Sequence, residues 1–262
     1  MSRSLSRASL ISLNPLRNDT MRSLSAADFL VMWERGAGLH AIDQALLILS
    51  HAFPEHTYDR LVTFSLGQRD ELLLQVRRRT FGDRLDAYTE CPSCRERLEL
   101  SLSCGSMLRD ANIQEPRVKT LTIEGIEVAV RCPDSRDAAA VAASDNLEAA
   151  TRTLLDRCVS RTHIPGCGID SLPPSALAVI AGELAAIDPW SETLLELSCP
   201  SCKHAWQGLF DIGTFLWTEI RARARRLLQE VDVLARVYRW SEADILQMSE
   251  ARRGLYLQMA MS

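Results

Sequence analysis

The tetrapeptide Cys-Pro-Ser-Cys occurs twice, at residues 91–94 and 199–202, and no other feature constrains the chain as tightly. Two CxxC turns present four sulfurs, the ligand set of a closed tetrahedral zinc site. Each turn folds its two side chains to one side, so both pairs reach a single ion. Four thiolates leave no open coordination position, and an ion so enclosed builds structure instead of catalysing. The spacing predicts one structural Zn2+ held by Cys91, Cys94, Cys199 and Cys202, no catalytic residue, and an assembly or binding protein, not an enzyme.

The flanks of both tetrapeptides alternate. Leu85, Ala87 and Thr89 precede the first and Leu98, Leu100 and Leu102 follow it. Leu195 and Leu197 precede the second, and Trp206 and Phe210 follow at even spacing. A period of two is that of a strand. Each knuckle is therefore expected to cap a hairpin, and two hairpins on one ion make a zinc-ribbon-like module.

Residues 105–190 lie between the two knuckle hairpins and must fold back on themselves if the ligands are to meet. Leu121 to Val130 reads as a hairpin turning at Glu124-Gly125. Asp134 or Ser135 caps an Ala-rich helix through Ala142, Leu147 to Val159 forms another, and Pro173-Pro174 starts a third that ends near Asp188-Pro189. The metal closes a long loop, where chain entropy is large. By analogy with structural zinc peptides it supplies roughly 10–16 kcal/mol of apparent free energy. Loss of one knuckle is accordingly expected to unfold or aggregate the chain.

Both ends read as helical. Ser25 opens a helix carrying Phe29, Leu30 and Trp33, which Gly36 to Gly38 break. Leu39 to Ala52 follows, stopped by Pro54, and the capping box Ser65-Leu-Gly-Gln68 starts a third helix to about Thr80. A long helix over Ile212 to Arg239 places Trp217, Ile220, Ala224, Leu227, Val231, Leu234 and Tyr238 at 3-4 spacing. That seam either faces the chain's own core or docks a partner, and Trp217, Ile220, Leu227, Val231, Leu234 and Tyr238 are its candidate partner-binding residues. Ser241 and Ser249 cap two short helices after it.

Composition narrows the partners. A formal charge of −4 gives no broad pull toward nucleic acid or anionic membranes. No apolar run approaches the roughly 20 residues of a membrane helix, so a soluble, cytoplasmic protein is expected. The runs Arg77 to Arg79 and Arg221 to Arg226 lack interleaved aromatics of a base-stacking surface, since Trp217 and Tyr238 fall on the seam. Cys104, Cys132, Cys158 and Cys167 read as small apolar residues, and Cys158, His163 and Cys167 as incidental neighbours of a turn near Gly166 and Gly168. His204 is expected outside the ligand set. The Ser- and Arg-rich stretch Met1 to Thr20 reads as a disordered extension, with Met21 as the expected start.

Five segments carry a resemblance: Phe81 to Cys94, Leu195 to Trp206, Phe210 to Ile212, Phe215 to Ile220, and Tyr238 to Ile245. Together they resemble the T4-type baseplate (hub assembly) proteins of contractile injection systems and contractile-tailed phages, over about Met21 to Met259. The resemblance implies a non-enzymatic baseplate component or assembly factor, retained in a contractile particle or acting transiently, with hub or wedge proteins as partners and no small-molecule substrate. Only the four cysteines carry over as functional residues. The expectation is an α+β chain: an extension (1–20), a helical N-terminal unit (21–82), a first knuckle hairpin (83–104), a mixed α/β insertion (105–190), a second knuckle hairpin (191–211) and C-terminal helices (212–262). The competing reading is a zinc-ribbon adaptor that binds nucleic acid or a transcription partner.

Overall fold

The computed structural model describes residues 21–108, 118–123, 125–161 and 172–261. The Met1 to Thr20 extension, Glu124 of the hairpin turn, and His163, Gly166, Cys167 and Gly168 lie outside the described residues.

Side-chain caps fix where the first helices begin. In α1 (Ala26–Gly36) the Asp28 N–H donates to Ser25 Oγ, and the Asp28 carboxylate accepts from the Ser25 N–H. Residues Ser65 and Gln68 repeat that reciprocal box at α4 (Leu66–Phe81). Between them lie α2 (Ala41–Ala52), capped by His40 instead of starting at Leu39, and the short α3 (Tyr58–Val62), capped by Thr57. Helix α3 carries no periodic signal in the sequence, because five residues are too few to show one. Gly82, at φ 90, ends α4 in a conformation that a side chain would strain.

Beyond that corner the chain forms β1 (Arg84–Glu90) and β2 (Arg97–Ser103), paired antiparallel so that Leu85 faces Leu102, Ala87 faces Leu100 and Thr89 faces Leu98. A single turn, α5 (Cys104–Met107), follows. The insertion holds β3 (Val118–Ile123), β4 (Ile126–Arg131), α6 (Ser135–Ala142), α7 (Leu147–Cys158), β5 (Val159–Arg161) and α8 (Pro174–Ile187). After it come β6 (Thr193–Ser198), β7 (Ala205–Phe210), α9 (Ile212–Tyr238), α10 (Glu242–Gln247) and α11 (Glu250–Ala260). The architecture is thus mixed helix and sheet, with three small separate sheets among the described residues, β1-β2, β3-β4-β5 and β6-β7.

The two helical ends share one core. Phe29, Met32, Leu46, Leu49, Leu73 and Val76 of α1, α2 and α4 pack with Leu216, Ile220 and Leu227 of α9. Burial at this scale, at about 25 cal/mol per Å² of apolar area, is the main force holding the body together. Arg77, 3% exposed, ties α4 to α9 through Glu219 and donates to the Gly82 and Arg84 carbonyls at the base of β1. At the other end α11 folds back on α9, where buried Arg253 meets buried Glu230.

The insertion has its own core of Val128, Val130, Leu155, Cys158, Ile180 and Leu184. Among the described residues it meets the helical body at the N-terminus of α4 and beside α2 and α3. The Leu66 N–H donates to the Pro133 carbonyl and the Gly67 N–H to the Asp188 carboxylate, while Arg136 pairs with Asp59. A carboxylate at a helix N-terminus completes otherwise unmatched N–H groups and suits the helix dipole. The segment after β4 and the C-terminal end of the insertion therefore converge on one helix start.

The α9 seam lies largely against the chain's own core. Trp217, Ile220, Leu227 and Leu234 are buried, and Val231 and Tyr238 are half-buried. Trp217, Ile220 and Leu227 belong to the shared core, so this stretch is the core-facing alternative and not an open surface. The Trp217 ring lies against the backbone of Gly36, where a Cβ would stand 2.3 Å from Cη2. Tyr238 stacks on Trp240 with centroids 4.5 Å apart, and the Tyr256 ring meets both edge-on.

Candidate metal centre

The repeated tetrapeptide makes a repeated turn. In the first knuckle the Arg95 N–H donates to the Cys91 carbonyl at 2.9 Å and the Cys91 N–H to the Glu96 carbonyl at 2.9 Å. In the second, Lys203 donates to Cys199 at 3.0 Å and Cys199 to His204 at 2.9 Å. Arg95 and Lys203, each directly after the second cysteine, both take φ 62. A left-handed non-glycine residue costs roughly 1–2 kcal/mol, so its recurrence marks a turn that the surrounding bonds impose.

The hairpin bases are anchored and their tips meet. Leu85 and Cys104 are buried in the helical core, with Ala87, Leu102 and Phe210 packed against it. Further out, Thr89, Leu98, Leu100, Leu195, Leu197 and Trp206 are only half-buried. In the second hairpin Leu197 faces Trp206 and Leu195 faces Gly208, where a Cβ would come within 2.8 Å of Leu197 Cδ1. Glycine at 208 is what lets Leu197 lie across the strand pair. The two ribbons form separate sheets, so the merged sheet of a zinc ribbon is not what joins them.

What brings the tips together is sulfur. The four Sγ atoms of Cys91, Cys94, Cys199 and Cys202 all lie within 4.8 Å of one another. Cys91 and Cys202 are 3.6 Å apart, as are Cys94 and Cys199. Four sulfurs at about 2.3 Å from one ion would stand about 3.8 Å apart at the corners of a tetrahedron. The cluster fits that figure and contains no carboxylate or imidazole. His204 is exposed and stacks on Trp206 at 5.9 Å, clear of the ligand set.

Backbone dipoles favour thiolate here. The Cys202 N–H first, and the Ser201 N–H after it, draw the Cys199 thiol down to about 7. At Cys94 the Glu96 N–H pulls the same way, yet hydrogen bonding with the neighbouring thiols pushes that group up to about 12. The amide dipoles thus stabilise one negative sulfur while crowding resists the next. A divalent cation at the centre removes that conflict, because it neutralises every thiolate at once.

Among the described residues, the other cysteines and several arginines of the two basic runs sit as structure. Cys104 and Cys158 are buried and Cys132 half-buried. Arg77 points inward, and Arg223 and Arg226 pair with Glu230 or Glu250. Sequence reading missed the charged groups that brace the body: buried Arg253 with Glu230, and buried Asp137 with Arg131 and Arg157. Charges that meet across separate elements, 6, 20 and 23 positions apart here, leave no periodic trace. The capping-box match of Asp134 with Asp137 was the one available signal.

The fold and site define a helical body carrying two β-ribbons whose tips meet in a four-thiol cluster able to hold a metal ion. Residues 40–217, from the cap of α2 to the first turns of α9, match the family described as T4 bacteriophage base plate protein. The chain belongs to that family, and all four cysteines lie inside the matched span. No match was found among curated proteins, and none among solved structures. Among the described residues no helix is long and apolar enough to cross a membrane.

Proposed function

We propose that the chain is a non-enzymatic component or assembly factor of the baseplate of a phage-tail-like contractile injection system, with one structural Zn2+ held by Cys91, Cys94, Cys199 and Cys202. The family match over residues 40–217 carries this reading. The donor set supports the metal assignment: four thiolates select zinc over the hard, oxygen-seeking cations, and a filled tetrahedron offers no site for substrate. The ion's role is then geometric. It fixes two ribbons, each rooted in the same helical body, at one angle to that body.

The partners are other baseplate proteins of the hub or wedge. With much of the α9 seam buried, docking falls to other surfaces, and of the six seam residues only Val231 and Tyr238 retain a partly exposed side chain to contribute. The adaptor reading for nucleic acid is weaker, because arginines in both basic runs are engaged within the chain. The test is to tag the chain in its native host, purify contractile particles and quantify it by mass spectrometry. A fixed low copy number supports a component, and association with hub or wedge proteins only in unassembled fractions supports an assembly factor. Association with neither removes the baseplate reading.

A further inference from the structure

The cluster pairs its sulfurs in a way the tetrapeptides alone do not reveal. Cys94 and Cys202 are exposed, whereas Cys91 and Cys199 are buried. The contacts at 3.6 Å run between knuckles and not within them, Cys91 with Cys202 and Cys94 with Cys199. Each sulfur that an oxidant can reach therefore has a buried sulfur of the other knuckle beside it, 105 or 111 positions away in the chain.

We propose that the cluster is an oxidation site for hydrogen peroxide, at which disulfides Cys91–Cys202 and Cys94–Cys199 replace the metal as the link between the ribbons. Exposed Cys94 gives up its proton to solvent and attacks one peroxide oxygen, the O–O bond breaks, and a sulfenic acid and hydroxide form. The Cys199 thiolate then attacks the Cys94 sulfur and displaces a second hydroxide. Two electrons have passed from the sulfur pair to the peroxide, and two protons from solvent turn both hydroxides into water. Cys202 and Cys91 repeat the step with a second peroxide. The four sulfurs that would hold an ion would then no longer be available to it as thiolates. Because both bonds cross between knuckles, the long intervening segment stays closed: a clamp made in reducing surroundings becomes covalent in oxidising ones. Bonds within each CPSC turn would instead let the ribbons part.

The inference rests on the four-thiol cluster, and its test separates it from the zinc assignment. Metal content of the purified full chain is measured first. The chain is then treated with hydrogen peroxide, blocked with an alkylating agent, and digested with trypsin without reduction. Trypsin yields Leu85 to Arg95 with the first knuckle and Thr162 to Lys203 with the second. The expected result is one species in which these peptides are joined, with fragment spectra placing bonds at Cys91–Cys202 and Cys94–Cys199. Two separate peptides, each with a disulfide inside its own CPSC turn, would overturn the proposal. So would free thiols, or sulfinic and sulfonic acids at Cys94 and Cys202. A chain purified without zinc that still gives the joined species would refute the metal and leave the oxidation site standing.

Discussion

Replacing Gly36 with alanine should destabilise the helical body, and the sign of the effect tests where Trp217 sits. An added Cβ would stand 2.3 Å from Trp217 Cη2, 2.9 Å from Cζ3 and 3.0 Å from Cζ2. Carbon atoms pack at about 3.5–4.0 Å, so the ring or the helix must give by about 1 Å. Trp217 is 7% exposed and hemmed in by the shared core, which blocks an easy retreat. Overpacking of this kind costs about 1–3 kcal/mol. Alanine recovers up to about 1 kcal/mol of helix propensity, less here because Gly36 is the last residue of α1. The net loss is about 1–2 kcal/mol, or a fall in Tm of about 2–8 °C at this chain length. Thermal unfolding followed by circular dichroism reads it directly. In a Trp217→Leu background the same alanine should cost less, with a coupling near 1 kcal/mol. A Tm that stays put or rises with Gly36→Ala would refute the reasoning and free Trp217 to serve as a docking residue.

Three further outcomes follow from the charged groups and the cluster. Arg253→Met strands Glu230, which keeps only the longer contacts to Arg223 and Arg226 at 3.5 and 3.3 Å; urea unfolding should show a loss of about 3 kcal/mol, and a loss below about 0.5 kcal/mol would make the pair incidental. Burial pushes the Asp137 carboxyl up, but Arg131, the Asp134 N–H and Arg157 outweigh it and hold the group below the usual carboxylate range. A depressed folded pKa gives stability that is fully present above the unfolded value of about 3.9 and is lost as pH falls from there through the lower folded value. Asp137→Asn should therefore be less stable at neutral pH, with the gap to wild type closing below about pH 4; parallel curves down to acid pH would contradict this. Stripping the metal with a chelator should speed hydrogen exchange in β1, β2, β6 and β7 while amides in α1, α2, α4 and α9 stay protected. Simultaneous loss of helix and ribbon protection would show that the body depends on the ion.

The chelation outcome departs from the unfolding expected on sequence grounds, and the reason is physical. Closing a segment of about 100 residues is worth about 4–5 kcal/mol in a chain-entropy account, but only once. Here α9 packing on α1, α2 and α4 already closes the same segment, so the ion adds little closure that the core does not provide.

Local rules carried far in this sequence. Ser25, Ser65, Asp134, Ser241 and Ser249 cap the helices that their residue types foretold, because the cap is a contact within three residues. Alternation of Leu85, Ala87 and Thr89 before the knuckle and Leu98, Leu100 and Leu102 after it predicted the hairpin, and the tetrapeptides predicted which sulfurs would gather. What stayed hidden depends on distant partners. The 3-4 spacing on α9 shows an apolar face and not what covers it, which here is largely α1, α2 and α4. The third strand β5, three residues long, exists through pairing with β4, and Asp188 gains its place from a helix 121 positions earlier.

The most direct test of the account is the metal itself. X-ray absorption on the purified full chain, with elemental analysis, should give one zinc per chain in a shell of four sulfurs at about 2.3 Å. Cys94→Ser and Cys202→Ser should each abolish stoichiometric zinc, since the site draws on both knuckles. Full zinc retention in either variant, or a shell containing nitrogen or oxygen, would contradict a single shared four-thiolate centre.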